Sequence, residues 1–105
     1  MTDLTQAIER VIESEVTAGV RLKALSAFLD EDNELQICGE AIFNQAPSED
    51  LPAKIVVLLY DDQGRVIAKN DTYIGTPGLS FDAFDVNIYR IKRSIDRIKV
   101  FVKKA

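Results

Sequence analysis

The stretch from Lys54 to Ile67 constrains the fold of this chain more than any other. Ile55 to Tyr60 are six consecutive apolar or aromatic residues, rich in β-branched side chains. Such a run between turn residues is typical of a strand buried on both faces. Residues 61–64 then favour a tight turn, because Asp bonds nearby backbone N–H groups and Gly adopts positive φ without steric cost. Extended character resumes from Arg65 to Thr72, so we predict a β-hairpin whose first strand lies mid-sheet.

Alternation of apolar and polar residues predicts a second hairpin earlier in the chain. Val20–Leu29 alternates at first, Leu35–Asn44 alternates again, and the turn residues Asp30–Asn33 separate them. Gly39 falls on the apolar face of the second strand, which indicates a bulge or a close backbone approach.

Two more strands are predicted after the Lys54–Ile67 hairpin. Leu79–Ile88 changes phase near Ala83, which suggests a bulge, and Ile95–Lys103 alternates to the end of the chain. The predicted connections are Gln45–Pro52, Gly75–Gly78 and Tyr89–Ser94. Strands at this spacing are the signature of an all-β, Ig-like antiparallel β-sandwich of six or seven strands, with an N-terminal helix or arm. We expect a single domain of residues 1–105, with the sandwich at 20–103.

The N-terminal residues 1–18 permit two interpretations. Apolar residues recur at three- and four-residue spacing, as in an amphipathic helix: Leu4, Ala7, Ile8, Val11, Ile12 and Val16. Asp3 with Gln6 favours a capping box, and Gly19 favours a left-handed helix end. The alternative is an extended arm, because Val, Ile and Thr are frequent. We favour a helix over residues 4–17, docked by Leu4, Ile8, Val11 and Ile12; a stripe left free would suit a homodimer contact.

Composition narrows the classes of function. The chain has no His, which removes the commonest acid–base catalyst and metal ligand. Its net charge of −4 argues against nucleic acid and anionic membranes as partners. No apolar run is long enough to span a membrane, and the N-terminus lacks the apolar core of a signal peptide. With the lone Cys38, these features lead us to expect a cytoplasmic location.

The acidic turns are the first candidate site. Residues 30–34 resemble a calcium loop superficially, but the positions that require Gly and Glu in an EF-hand hold Leu35 and Ala41. A calcium site at one end of the sandwich, built from Asp30, Asp32, Asp61 and Asp62, remains an alternative to a simple role in turns.

Further candidates each have a structural interpretation that we prefer. The basic C-terminal segment suits single-stranded nucleic acid or, preferably, a solvated strand face and a loop: Arg90, Lys92, Arg93, Arg97, Lys99, Lys103 and Lys104, with Tyr89 and Phe101 nearby. Cys38 is expected to be packed and inert. Tyr60 is expected to pack while its hydroxyl reaches the turn backbone, and Asp61 to begin that turn. Asp82 and Asp85 form no convincing acid–base pair.

Charge is uneven along the chain, and strand order predicts where it lies. Residues 1–52 hold three basic and eleven acidic side chains, whereas residues 53–105 hold ten basic and six acidic. If consecutive strands are antiparallel, the acidic turns share one end with the basic connection Tyr89–Ser94. We therefore expect Asp62 and Arg93 at the same end of the domain.

Residues 57–61, Val-Leu-Leu-Tyr-Asp, resemble the motif that names the FxLYD family of small bacterial and archaeal β-sandwich domains; the first position is Val57 here. The similarity extends over residues 35–103, including the DDQGRVI turn, the Gly/Pro turn and a strand with Phe81 and Phe84. The resemblance implies an Ig-like sandwich without assigned catalysis, and its members are often exported or lipid-anchored. It implies no particular site residue.

We therefore expect a noncatalytic interaction or accessory domain with a protein partner and no cofactor. A calcium-binding sandwich is one alternative. A small enzyme is another, disfavoured because the chain lacks a phosphate-binding loop and a nucleophile motif.

Overall fold

The computed structural model describes all 105 residues, which form eight strands, one α-helix and a 3₁₀ turn at Thr5–Ala7. The elements in chain order are β1 (Thr2–Asp3), β2 (Ile8–Arg10), α1 (Ile12–Ala18), β3 (Val20–Leu29), β4 (Leu35–Phe43), β5 (Ala53–Tyr60), β6 (Val66–Ile74), β7 (Phe81–Ile88) and β8 (Arg97–Lys104). None of the helical segments is long and apolar enough to cross a bilayer.

The strands form two four-stranded sheets, which confirms the predicted all-β sandwich. The first sheet has the order β1-β3-β4-β7, and the second has the order β2-β8-β5-β6. Six long strands lie where the sequence predicts them, and the N-terminal segment adds β1 and β2. One pair departs from the antiparallel prediction, because β2 runs parallel to β8.

The core lies between the sheets and contains 19 buried apolar residues. β5 is the strand predicted to lie mid-sheet, and it does lie between β8 and β6. Its inward side chains, Ile55, Val57 and Leu59, are fully buried. The prediction that both faces of this strand are buried is wrong, because alternate residues such as Val56 and Leu58 are only half-buried. The outer face of an antiparallel sandwich sheet meets solvent, so the apolar run covers one core face and one partly open face.

The predicted helix over residues 4–17 is wrong in its first half. Ile8 pairs with Ile98 in the parallel β2–β8 ladder, so it lies in an edge strand of the second sheet and not in a helix. Asp3 accepts a hydrogen bond from the Thr5 backbone N–H at 2.9 Å and does not form a capping box with Gln6. A helix does form later, and Gly19 ends it at φ 69°, as predicted.

The N-terminal segment crosses from the edge of the first sheet to the edge of the second. Leu4 and Ile8 pack against the core, whereas Ile12 is 53% exposed and Val16 is 75% exposed. The predicted docking contact of Ile12 is therefore wrong. Instead, α1 is held by polar contacts, because the buried Glu15 pairs with Arg10 at 2.6 Å and accepts a bond from the Leu22 N–H at 2.9 Å.

Local irregularities differ partly from those predicted. Gly39 marks a close approach, since a Cβ atom there would lie 2.6 Å from Leu25 Cδ2 and 2.9 Å from Phe84 Cζ. The bulge of this hairpin lies in the neighbouring strand, between Lys23 and Ser26. The bulge predicted near Ala83 is wrong, because the β4–β7 register continues without a shift. The apparent change of phase arises because Phe81 lies on the outer face, 48% exposed, while Phe84 is buried.

Each end of the sandwich contains the connections that were predicted to lie there. The Asn33 carbonyl accepts a bond from the Ile91 N–H at 3.1 Å, which joins the β3–β4 turn to the β7–β8 connection. At the other end the Gly78 N–H donates to the Pro47 carbonyl at 2.9 Å. Asp62 and Arg93 line one depression at the first end, which confirms the prediction that they lie at the same end of the domain.

Candidate functional site

The two acidic turns are built in the same way. Asp30 Oδ1 accepts bonds from the N–H groups two and four residues later, at 2.8 and 3.0 Å. Asp61 Oδ1 does the same, at 3.0 and 2.9 Å. Each turn has a left-handed residue at its fourth position, Asn33 at φ 60° and Gly64 at φ 77°. Asp residues with this bonding stabilise the turns themselves, and no three acidic or Cys side chains of the chain converge as a metal site would require.

Asp61 is the more deeply placed of these two carboxylates, with 5% of its surface exposed. Its Oδ2 lies 3.0 Å from Arg65 Nε and 3.4 Å from Arg93 Nη1. The Arg65 backbone N–H, with the Gln63 N–H and the Arg65 guanidinium, holds the pKa of Asp61 below its ordinary value despite burial. These contacts describe an ionised carboxylate that fixes the turn and binds two neighbouring arginines.

Cys38, Asp82 and Asp85 do not combine into a reactive site. Cys38 is half-buried, and burial together with the neighbouring Asp85 carboxylate raises the pKa of its thiol. Asp82 Oδ2 accepts a bond from the Gly75 N–H at 2.9 Å. Asp85 lies three residues further along β7, on the opposite face of the strand. Burial therefore lowers the thiolate fraction of Cys38, and Asp82 and Asp85 do not face one another.

The structure divides the basic C-terminal segment into two groups. Arg90, Lys92 and Arg93 lie in the connection between β7 and β8, whereas Arg97, Lys99 and Lys103 lie on the outer face of β8. Lys104, the next residue after Lys103, lies on the opposite face of the strand. The segment is therefore not one continuous cationic surface.

The second group belongs to a larger surface that sequence patterns alone missed. Lys103 pairs with Lys54 on β5, and Leu58 of β5 lies between Lys99 of β8 and Lys69 of β6. Residues directly opposite one another in a sheet share a face. We call this surface the basic face: Glu9, Lys54, Val56, Leu58, Tyr60, Lys69, Asp71, Tyr73, Arg97, Lys99, Phe101 and Lys103. Lys54 and Lys69 join it only through the order β8-β5-β6, so no local sequence signal identifies them.

Charge on the basic face is only partly compensated. Lys54 Nζ lies 3.8 Å from Asp71, and Arg97 Nη1 lies 3.1 Å from Glu9. The other three cations, Lys69, Lys99 and Lys103, have no carboxylate oxygen within 4.0 Å. Five basic and two acidic side chains give this face a net charge of +3, whereas the whole chain has −4.

Apolar and aromatic side chains occupy the middle of the basic face. Val56, Leu58 and Phe101 are half-buried there. A shallow depression of about 290 Å³ exposes Val56 and Phe101 between three lysines, Lys54, Lys69 and Lys103. The surface thus combines unpaired cations with accessible apolar area.

Tyr60 makes a different contact from the one predicted. Its ring faces the Arg97 guanidinium at 4.5 Å and the Lys99 ammonium at 5.3 Å, measured to the ring centroid. These are cation–π contacts on the outer face of the sheet, and they replace the predicted bond of the hydroxyl to the turn backbone. Tyr60 therefore helps to position the cations at one end of the basic face.

Comparison with protein-family models, curated proteins and solved structures gives no significant match.

Proposed function

We propose that this chain is a noncatalytic interaction domain that binds a protein partner through the basic face, in keeping with its resemblance to the FxLYD family. The observation that carries the proposal is the set of unpaired lysines, Lys69, Lys99 and Lys103, around half-buried apolar side chains. A partner surface that carries carboxylates would form ion pairs with these lysines and would bury the apolar side chains at the same time. Complementary charge of this kind favours specific association and speeds encounter.

The two buried carboxylates support a noncatalytic role, because both are already bound within the domain. Glu15 and Asp61 are the buried charged residues, and both are occupied by arginines and backbone N–H groups. A general acid or base must have its carboxylate available to a substrate. Neither of these carboxylates meets that requirement, and the raised pKa of the Cys38 thiol disfavours a cysteine nucleophile.

Quantitative capture experiments test the proposal. The immobilised wild-type domain and the variant K69E/K99E/K103E would be incubated with the same cell extract, and captured proteins compared by mass spectrometry. The control on the opposite face is R21E/K23E, because Arg21 and Lys23 are exposed cations on the outer face of the first sheet. Melting curves would establish that both variants remain folded.

We expect one or a few proteins to bind the wild type and the control, and to be lost with the basic-face variant. Partners that bind all three forms equally would place the interaction elsewhere on the domain. A substrate turned over by the wild type would contradict the noncatalytic assignment.

A further inference from the structure

We propose that the basic face accepts an extended acidic polypeptide segment with the pattern acid–x–apolar–x–acid, aligned along β8. This inference rests on the proposed function and specifies the chemistry of the partner.

The pattern follows from three successive outward positions of β8. Lys99, Phe101 and Lys103 share the outer face of this strand. Because a strand rises about 3.3 Å per residue, the two lysines lie about 13 Å apart along it, with Phe101 midway. A ligand in extended conformation has the same repeat. Its residues i and i+4 can therefore pair with the lysines, while its residue i+2 covers Phe101.

A third cation widens the site across the sheet. Lys69 of β6 and Lys99 of β8 are both paired with Leu58 of β5, one on each side. Two strand spacings separate the two lysines by about 10 Å. A carboxylate from a second segment of the partner, running beside the first, would reach Lys69 across Leu58. The partner should thus present a further acidic side chain beside one end of the pattern.

The same observations disfavour nucleic acid on this surface. Single-stranded nucleic acids bind by stacking bases on open aromatic rings. Here the Tyr60 ring faces Arg97 and Lys99, at 4.5 and 5.3 Å from its centroid, and the Tyr73 ring faces Lys54 at 5.8 Å. Phe101 is half-buried. Aliphatic Val56 and Leu58 occupy the middle of the face, and the remainder of the chain is strongly acidic.

A second copy of this chain also fits poorly. Its densest acidic segment, residues 30–34, is a closed turn in which Asp30 already accepts two backbone hydrogen bonds. No apolar residue lies between its acids. This segment cannot supply the extended pattern. Glu9, Val11 and Glu13 have the spacing of the pattern, but Glu9 pairs with Arg97 and Glu13 lies in α1, so they do not form a free extended segment.

Fluorescence anisotropy with labelled peptides tests the inference. The probe contains two copies of Glu-Thr-Phe-Thr-Glu. One control peptide has Gln in place of Glu, and another has the same composition with Phe moved next to the first Glu of each copy. Oligothymidylate serves as the nucleic-acid control. Proteins compared are the wild type, K99Q/K103Q on the basic face, and R21Q/K23Q on the opposite face.

We expect the probe to bind the wild type and the R21Q/K23Q control within twofold of each other. Binding should weaken about tenfold or more with K99Q/K103Q or with the Gln peptide, because two charge pairs are lost. Affinity should also fall with added salt. The peptide with displaced Phe should bind severalfold more weakly, since its apolar side chain no longer covers Phe101.

The outcomes separate this inference from the proposed function. Equal binding of all peptides, or equal binding by K99Q/K103Q, would overturn the acidic pattern. If the capture experiment still showed loss of a partner with the basic-face variant, the proposed function would stand with a different ligand chemistry. Tighter binding of oligothymidylate than of the probe would replace the peptide with nucleic acid.

Discussion

Asp61 Oδ2 lies 3.4 Å from Arg93 Nη1, although 32 residues separate these positions in the sequence. The contact joins the acidic β5–β6 turn to the basic β7–β8 connection at one end of the sandwich. It places a buried carboxylate between two arginines, Arg65 and Arg93, at this end of the domain. The partner arginines are more than half exposed, so the ion pairs themselves contribute little, and the backbone bonds of Asp61 matter more.

The Asp61 turn should make stability depend on pH in acid. Since folding lowers the pKa of Asp61, its ionised form stabilises the domain above the ordinary value of about 4. This contribution is lost as the pH falls through the lowered folded-state value. Asp61→Asn should retain the turn acceptor but weaken this acid dependence, and Asp61→Ala should also lower the melting temperature at pH 7. Urea unfolding from pH 2 to pH 7 measures both effects. Identical pH profiles for wild type and Asp61→Asn would contradict them.

The two faces of β5 should respond differently to truncation. Leu59→Ala should cost about 2–5 kcal/mol, because Leu59 is fully buried and its removal leaves a cavity. Leu58→Ala is the matched control, and it should cost about 1 kcal/mol or less because its side chain is half-buried. Denaturant unfolding measures both. A loss under about 1 kcal/mol for Leu59→Ala would remove this strand from the centre of the fold.

The long strands could be predicted because each carries its own signal. Alternation in Leu35–Phe43 specifies its inward residues, and the Asp and Gly residues of 61–64 specify a turn whatever surrounds them. The placement of Asp62 beside Arg93 followed from strand order alone. Such features depend on the local chain and on simple connectivity.

The N-terminal segment and the basic face depend on distant residues instead. Ile8 has helical spacing with its apolar neighbours, yet it lies in a strand because its backbone pairs with Ile98 at the edge of β8. Lys69 joins Lys99 on one surface only because β5 separates the two strands. The local sequence pattern around Ile8 or Lys69 does not reveal which distant residue will lie beside it.

Adjacent residues of α1 should differ sharply in their effect on stability. Glu15→Ala should cost about 1–3 kcal/mol, since it leaves the buried Leu22 N–H without its acceptor and Arg10 without its carboxylate. Val16→Ser, the neighbouring exposed position, should change stability by no more than about 0.5 kcal/mol. Thermal or urea unfolding compares the two variants directly. Similar losses for both would contradict the assignment of Glu15 as the residue that holds α1.

The homodimer contact expected for a free apolar stripe stays a prediction. Ile12 and Val16 are the exposed apolar residues of α1, one turn apart. Sedimentation equilibrium of the wild type and of Ile12→Ser/Val16→Ser over a range of concentrations tests it. A concentration-dependent dimer that the double variant loses would support the contact, whereas equal masses for both proteins would dismiss it.

Cys38 should react slowly with thiol reagents at pH 7. Burial and, secondarily, the Asp85 carboxylate raise its pKa, so the thiolate is scarcer than in a free cysteine. Asp85→Asn removes the neighbouring charge and should increase the alkylation rate. The rate of iodoacetamide modification between pH 6 and pH 10, compared with a cysteine peptide, provides the measurement. Faster reaction than the peptide at pH 7 would contradict the assignment of an inert thiol.

Amide chemical-shift mapping tests the central claim, that the basic face is the binding surface, most directly. The ¹⁵N-labelled wild-type domain would be titrated with the acid–x–apolar–x–acid peptide. The largest shifts are expected at Leu58, Lys69, Lys99 and Phe101, with little change at Arg21 and Lys23 on the opposite sheet. Shifts confined to the outer face of the first sheet or to the end loops would contradict the claim.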